Sequence, residues 1–268
     1  MLLLMLVGVG AGIFGAMMGL GGGIMLIPAL TGLLGIPMRT AIGISIVCVV
    51  ATSCGASISY LQKNLTHSRL AMTLETATVT GALMGGLIAM WINPLWLTVI
   101  FGCVLLYVFY SMYCFSAEDS NARSTGVLDT EYLDPVSKKT ISYGVRRLWT
   151  GLGLSLIAGS LSGLLGIGGG IVKIPVMNLV MGVPLRAAIA TSNFMIGITA
   201  ATSALVYFAH GHIDPRLAAP TALGILVGAR LGVHISNRTK SRLIKQMFQV
   251  VLLVFAIQMF YQAFRGGR

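Results

Sequence analysis

Residues 19–28 read Gly-Leu-Gly-Gly-Gly-Ile-Met-Leu-Ile-Pro, and residues 166–175 read Gly-Ile-Gly-Gly-Gly-Ile-Val-Lys-Ile-Pro. Set one on the other, 147 residues apart, the register continues without a gap. It lays Gly35 over Gly182, Pro37 over Pro184, Arg39 over Arg186, Ser45 over Ser192, Thr52 over Thr199 and Tyr60 over Tyr207. Further on it lays Arg69-Leu70-Ala71 over Arg216-Leu217-Ala218 and Gly81-Ala82 over Gly228-Ala229. Self-similarity at one fixed offset marks an internal repeat, so the chain reads as two copies of one unit.

Of the 268 residues 56% are hydrophobic and 9% charged, against roughly 25% charged in a soluble domain. No water-soluble fold of this size hides so much apolar side chain. Stretches near the ~20 residues that a bilayer core requires run from Thr40 to Leu61, Leu70 to Ile92, Leu95 to Phe115, Ala187 to Ala209 and Leu243 to Phe264. Backbone exposed to lipid must satisfy itself, which restricts such spans to helices. Each copy then reads as five apolar segments: a first membrane repeat over 1–115, a polar linker over 116–147 and a second repeat over 148–268. The expected fold class is an all-α polytopic membrane protein with broken Gly-rich hairpins. Met1 to Gly8 lacks the positive start of a secretion signal and runs straight into the repeat, so it is expected to be kept.

Lys and Arg outnumber Asp and Glu by 18 to 7, a net charge of +11, but they lie in short loops between apolar spans. That distribution fits topology determinants better than a phosphate-binding surface, and no nucleic-acid partner is expected. Cytoplasmic loops collect Lys and Arg, which puts the loop carrying Lys63, His67 and Arg69 inside and the Asn93-Pro94 turn outside. In the second copy the bias swaps: the loop from His210 to Arg216 is weakly charged, and Arg238, Lys240, Arg242 and Lys245 crowd the next one. Five crossings per half put the linker, with Lys138, Lys139, Arg146 and Arg147, inside and both termini outside, although Arg265 and Arg268 pull the other way. Equivalent loops then face opposite sides, the pattern of two inverted-topology repeats. The linker, with Glu118, Asp119, Asp129, Glu131 and Asp134, reads as a mobile cytoplasmic tether.

A glycine inside a helix costs about 1 kcal/mol relative to alanine, so two Gly triplets in apolar surroundings predict helix breaks. A break frees N–H and C=O groups that cost several kcal/mol each without a partner, and a buried substrate or a water-lined cavity is the natural partner. Segments starting at Ile24 and Ile171 would aim helix N-termini at that cavity, which favours an anion. Gly21, Gly22, Gly23, Gly168, Gly169 and Gly170 are therefore candidate substrate-binding positions. The spaced series Gly8, Gly12, Gly15, Gly19 and Gly224, Gly228, Gly232 reads as close helix packing, within one protomer or between protomers of a homo-oligomer.

Ionisable side chains inside membrane spans are functional candidates by default. Lys173 and Arg230 could counter a sulfonate or carboxylate, or snorkel to an interface. Glu75 could carry a coupled proton, or pair with one of them. Ser45 and Ser192 recur at one repeat position, and Asn193 brings an amide into an apolar span; such groups either line an anion path or bond their own helix. His67, His210 and His212 occupy loops and read as solvated. Cys48, Cys54, Cys103 and Cys114 have no metal or redox spacing and read as packing residues. No cofactor or metal is implied; the expected partners are a small anion and the lipid bilayer.

The two hairpin motifs, each followed by Gly-Ile-Pro or Gly-Val-Pro and by Arg39-Thr40-Ala41 or Arg186-Ala187-Ala188, resemble the TauE/SafE family of sulfite exporter-like permeases over nearly the whole chain outside the linker. The resemblance implies secondary export of sulfite, an organosulfonate such as sulfoacetate, or a related small anion by a multi-pass protein of the cell (inner) membrane. Carried over, Gly21 to Gly23 and Pro28 match the first motif, and Gly168 to Gly170, Lys173 and Pro175 the second. Gly43-Ile44-Ser45 departs from the Thr-Ser that Thr191-Ser192 keeps. The expected mechanism is alternating access around a midplane anion held by hairpin amides, with Lys173 or Arg230 as counter-charge; a passive anion channel, or a permease for an unrelated small solute, is the alternative. No Walker motif points to ATP, and no HExxH, GxSxG or in-span His/Asp set points to an enzyme.

Overall fold

Three backbone reversals per half set the architecture. In the computed structural model, which describes residues 1–114, 127–133, 140–236, 238–239 and 241–266, helix α1 (Leu2–Met18) stops at Gly19, whose φ is 71°. Gly21 and Gly22 follow at 72° and 76°, and the second half repeats the turn at Gly166, Gly168 and Gly169 with 68°, 70° and 73°. A side chain in this left-handed region costs about 1–2 kcal/mol per residue, so only glycine can make the reversal three times over. The chain then turns into α2 (Gly23–Leu33). The corresponding α7 (Gly170–Pro175) widens after its proline into a π-helical stretch, Val176–Val180.

The remaining helices are α3 (Met38–Gln62), α4 (Ser68–Trp91), α5 (Pro94–Cys114), α6 (Leu148–Leu165), α8 (Leu185–Ala209), α9 (Pro215–Ser236) and α10 (Ser241–Gly266). Each half thus has the five segments expected. Pro37 and Pro184 start the two central helices α3 and α8. Asn93 and Asp214 open α5 and α9, their side chains accepting from the N–H of Leu95 and Arg216 ahead of a proline at the first helical position. Five of the helices, α3, α4, α6, α8 and α9, are long and apolar enough to cross a membrane.

The equivalent helices α3 and α8 pack against each other in opposite directions. Near one end Gly43 lies against the carbonyl of His212, so close that a Cβ there would overlap it; further along, the Ser53 hydroxyl donates to the Asn193 carbonyl at 2.5 Å. A pseudo-two-fold axis therefore runs between them, near Val49 and Ile196, whose side chains both reach Gly21 and Gly168. Contacts exchange about this axis. Ser45 donates to Gly166 O (2.8 Å) and Ser192 to Gly19 O (2.9 Å). Tyr60 bonds Ala16 O as Tyr207 bonds Gly163 O. Arg39 caps the end of α4 through the Met90 and Ile92 carbonyls, and Arg186 caps α9 through those of Ser236 and Thr239.

On either side α1 runs parallel to α9, and α6 to α4, with backbones in contact. A Cβ on Gly8, Gly12, Gly224, Gly228 or Gly232, or on Gly81, Gly85, Gly159 or Gly163, would fall within 3.0 Å of a carbonyl oxygen of the facing helix. Gly8, Gly12, Gly224, Gly228 and Gly232 do what their spacing predicts, whereas Gly15 lies against the turn at Gly21 and Gly22, and Gly19 caps α1 within that turn. Small and polar groups such as Ser45, Thr52, Asn193 and Thr199 point inward, while Leu83, Leu87, Leu205, Phe208, Leu223 and Val227 point outward. The three tryptophans, Trp91, Trp96 and Trp149, stand exposed at helix ends, where a membrane interface holds them.

The linker corrects an expectation. It is no tether over its described part: strand β1 (Val127–Leu133) pairs antiparallel with β2 (Thr140–Val145), Glu131 opposite Ser142, and Tyr132, Tyr143 and Val145 are buried. This hairpin packs on the α3–α4 loop. His67, read as solvated, is 6% exposed. Its Nδ1 accepts from the Leu70 N–H that opens α4, its Nε2 lies 3.0 Å from Leu128 O, and its ring meets Tyr143 edge-on. The capping bond leaves the proton on Nε2, which donates to the strand. Burial pushes the Tyr143 hydroxyl well above its ordinary range. His210 is exposed and His212 half-buried, as loop residues should be. Glu118, Asp119, Asp134, Lys138, Lys139, Lys240 and Arg268 lie outside the described residues, as do the side chains of Cys114, Arg242, Lys245 and Arg265.

His67→Ala should loosen the hairpin. Losing an N-cap costs about 1 kcal/mol, so amide exchange over Leu128–Leu133 is expected to quicken about fivefold while α3 and α8 stay protected. Unchanged strand exchange would mean that His67 does not latch it.

Candidate transport site

The sequence expects the hairpin breaks to open onto a ligand. The freed carbonyls are taken by the protein's own hydroxyls: Ser45 on Gly166, Ser192 on Gly19, and Thr52 on Gly21 at 3.0 Å. Ser45 and Ser192 therefore act as cross-braces between the halves, with their donors engaged. Gly21 to Ile24 and Gly168 to Ile171 are all buried.

Among the described residues, the ion pair lies beside the second hairpin. Glu75 lies two turns into α4, about 12 Å from the His67 cap at 1.5 Å per residue. Lys173 lies on α7, three residues past the triplet, and Thr199 near the middle of α8. The Lys173 ammonium is 3.3 Å from Glu75 Oε2 and 2.7 Å from Thr199 Oγ1, and the Thr199 hydroxyl donates to Glu75 Oε1 at 2.5 Å. Lys173 is 1%, Glu75 4% and Thr199 0% exposed. The three groups form a closed triangle sealed from solvent.

The repeat register shows what is special here. At the repeat counterparts of Lys173 and Glu75 stand Leu26 in the first half and Ala222 in the second, and Thr52, the counterpart of Thr199, bonds only backbone carbonyls. The fold builds the same junction once with apolar side chains and once with a buried ion pair.

Two predicted site residues lie elsewhere. Arg230 is exposed on the outer face of α9, so the structure does not bring it to the cluster, and the charge at the site is that of Lys173. Asn193 is fully buried, but its amide N–H groups go to the Ala16 and Ile189 carbonyls, fastening α8 to α1 about 9 Å along the helix from Thr199. Thr199, noted in the sequence only among many hydroxyls, is central. Cys48 is buried and Cys54 and Cys103 exposed, all as free thiols. A cleft of about 590 Å³ opens sideways between α5, α6 and α7, lined by Trp96, Ile100, Tyr107, Leu161, Val172 and Pro175 among others; its apolar walls offer nothing to an anion.

Among the described residues, helices long and apolar enough to cross a membrane, apolar side chains on their outer faces and an ion pair buried between the two repeats mark a multi-pass membrane protein. The chain belongs to the sulfite exporter TauE/SafE family, whose family model matches residues 4–259. It is similar along its length to probable membrane transporter protein YunE of Bacillus subtilis, 26% identical over 97% of both chains. Probable membrane transporter protein MJ0441 of Methanocaldococcus jannaschii is 25% identical over 96% of this chain and 94% of its own, and a probable membrane transporter protein of Xylella fastidiosa is 25% identical over 96% and 92%. No solved structure matches the chain.

Proposed function

We propose that the chain is a secondary carrier of the cell (inner) membrane that exports a small sulfur-containing or organic anion, such as sulfite or an organosulfonate, by alternating access. One observation carries this reading: the Lys173–Glu75 pair is buried where the repeat-related junction packs Leu26 and Ala222. Desolvating two charges costs several kcal/mol per ion, which their attraction need not repay. The apolar copy indicates that the fold does not require the pair, so its role is chemical.

The antiparallel run of α3 and α8 supports an inverted arrangement of the halves. The packing of the linker hairpin on the loop of Lys63 and Arg69 supports a shared cytoplasmic side for these segments. Val49 and Ile196, wedged against Gly21 and Gly168 on the axis, support a carrier rather than an open pore. In the closed state Glu75 neutralises Lys173. An incoming anion takes the place of Glu75 on the ammonium, and Glu75 takes a proton from water, so that two negative charges do not share one cation. Anion and proton then leave together on the other side, and Lys173 and Glu75 close again.

The test is flux of labelled sulfite and sulfoacetate in sealed proteoliposomes, preloaded against empty. Saturable counterflow is expected, unchanged within about twofold in Arg230→Gln because that side chain lies outside the cluster. Absence of flux of either anion through folded protein in sealed vesicles would refute the substrate class, and flux that rises linearly with concentration would favour a channel.

A further inference from the structure

Ser162 on α6 is 1% exposed and has no hydrogen-bond partner. A serine inside an apolar helix ordinarily returns its hydroxyl to the carbonyl one turn back, as Ser160 does to Leu156 O at 3.0 Å. Ser162 does not. It stands instead against the glycine turn: a Cβ on Gly169 would lie 3.3 Å from Ser162 Cβ and 3.4 Å from Lys173 Cε. The orphan hydroxyl, the glycine turn and the stem of Lys173 thus lie together, and the Lys173 ammonium reaches on to Glu75 and Thr199.

The first hairpin has no room for this arrangement. Gly15 occupies the place of Ser162, and a Cβ on it would run into the backbone of Gly21 and Gly22. Leu26 replaces Lys173, and Ala56 replaces Ser203. Of the other unpartnered polar atoms on the central helices, Arg39 Nε belongs to the guanidinium that caps the end of α4, and Asn193 Oδ1 is an acceptor, because the two carbonyls bonded to Nδ2 fix the orientation of the amide, and cannot bind an anion. Ser155, also unpartnered and buried, lies two turns nearer the linker end on the same face of α6, about 10 Å from Ser162.

We infer that Ser162 is an anion-binding residue and that the second hairpin alone holds the substrate, the first being its structural copy. This rests on the carrier reading above. A hydroxyl donor and one ammonium suit a singly charged oxyanion with two or more oxygens on one centre, one oxygen toward Ser162 and another toward Lys173. Ser155 places a second hydroxyl along the approach from the linker side.

The experiment is calorimetric titration of the purified full chain with sulfoacetate and with sulfite, for wild type, Ser162→Ala and Ser160→Ala, beside their melting temperatures. Ser162→Ala is expected to weaken binding about tenfold or more, the loss of one hydrogen bond to a charged ligand, with an unchanged or higher melting temperature, since no protein partner is lost. Ser160→Ala should bind as wild type does. Should Ser162→Ala fail to fold, Ser162→Gly, which copies Gly15, makes the same comparison. Wild-type affinity in the folded variant would overturn the inference and leave the carrier reading standing; no binding of either anion by wild type would overturn both.

Discussion

Lys173→Leu alone is expected to abolish counterflow and to destabilise the protein, whereas Lys173→Leu combined with Glu75→Ala should recover most of the stability and none of the flux. The single variant leaves the Glu75 carboxylate buried with only the Thr199 hydroxyl to bond, and an uncompensated charge of this kind costs about 3–5 kcal/mol. The double variant removes both charges and copies the repeat-related junction of Leu26 and Ala222. Its stability should therefore approach wild type, less the small cavity left beside Thr199. The checks are thermal unfolding in detergent, with size-exclusion profiles, and counterflow in proteoliposomes. The combination decides between two roles: a structural clamp would regain flux along with stability, and near-normal transport by the double variant would remove the charged site altogether.

The reach of the sequence differs from region to region for physical reasons. Helices were legible because the lipid imposes apolar length, and the hairpins because the left-handed turns at Gly19, Gly21 and Gly22 and at Gly166, Gly168 and Gly169 favour glycine. The exchange of contacts between halves was implicit in the repeat register, down to Ser45 and Ser192. The linker was misread. Its charged residues suggested a tether, yet Ile141, Tyr143 and Val145 alternate with Thr140, Ser142 and Gly144, the period of a half-buried strand. His67 could not be placed from the sequence, since its burial depends on where that hairpin lands. Arg230 and Lys173 looked alike as intramembrane cations, but helix phase separates them: Arg230 lies two residues, about 200° round the helix, from Gly228, which faces α1, and so points away from that packed seam. Ser162 and Lys173 carried a subtler signal. Each differs in polarity from its counterpart 147 residues earlier, Gly15 and Leu26, and in a duplicated fold such a difference marks where the copies have parted in function.

Matched substitutions in the two glycine seams should separate stability from transport. Gly228→Ala sets a methyl against the Val9 carbonyl between α9 and α1, and Gly81→Ala sets one against the Leu156 carbonyl between α4 and α6. Neither helix pair can absorb it without moving its backbones apart, so each should lose about 1–3 kcal/mol as overpacked interiors do. Gly10→Ala and Gly153→Ala, with nothing within 4 Å of the added atom, should be neutral or gain up to about 1 kcal/mol of helix propensity. Transport should not follow stability. Displacing α9 from α1 shifts Ala222, which touches no charge, whereas displacing α4 from α6 carries Glu75 away from Lys173 across a 3.3 Å contact. A misplacement of about 1 Å at a reacting geometry costs on the order of a hundredfold in rate. Gly81→Ala is therefore expected to lose flux by one to two orders of magnitude at a melting temperature close to that of Gly228→Ala, which should keep most of its activity once folded. Equal flux in the two variants at equal stability would show that the halves contribute alike, and the ion pair would lose its claim to be the centre of the transport cycle.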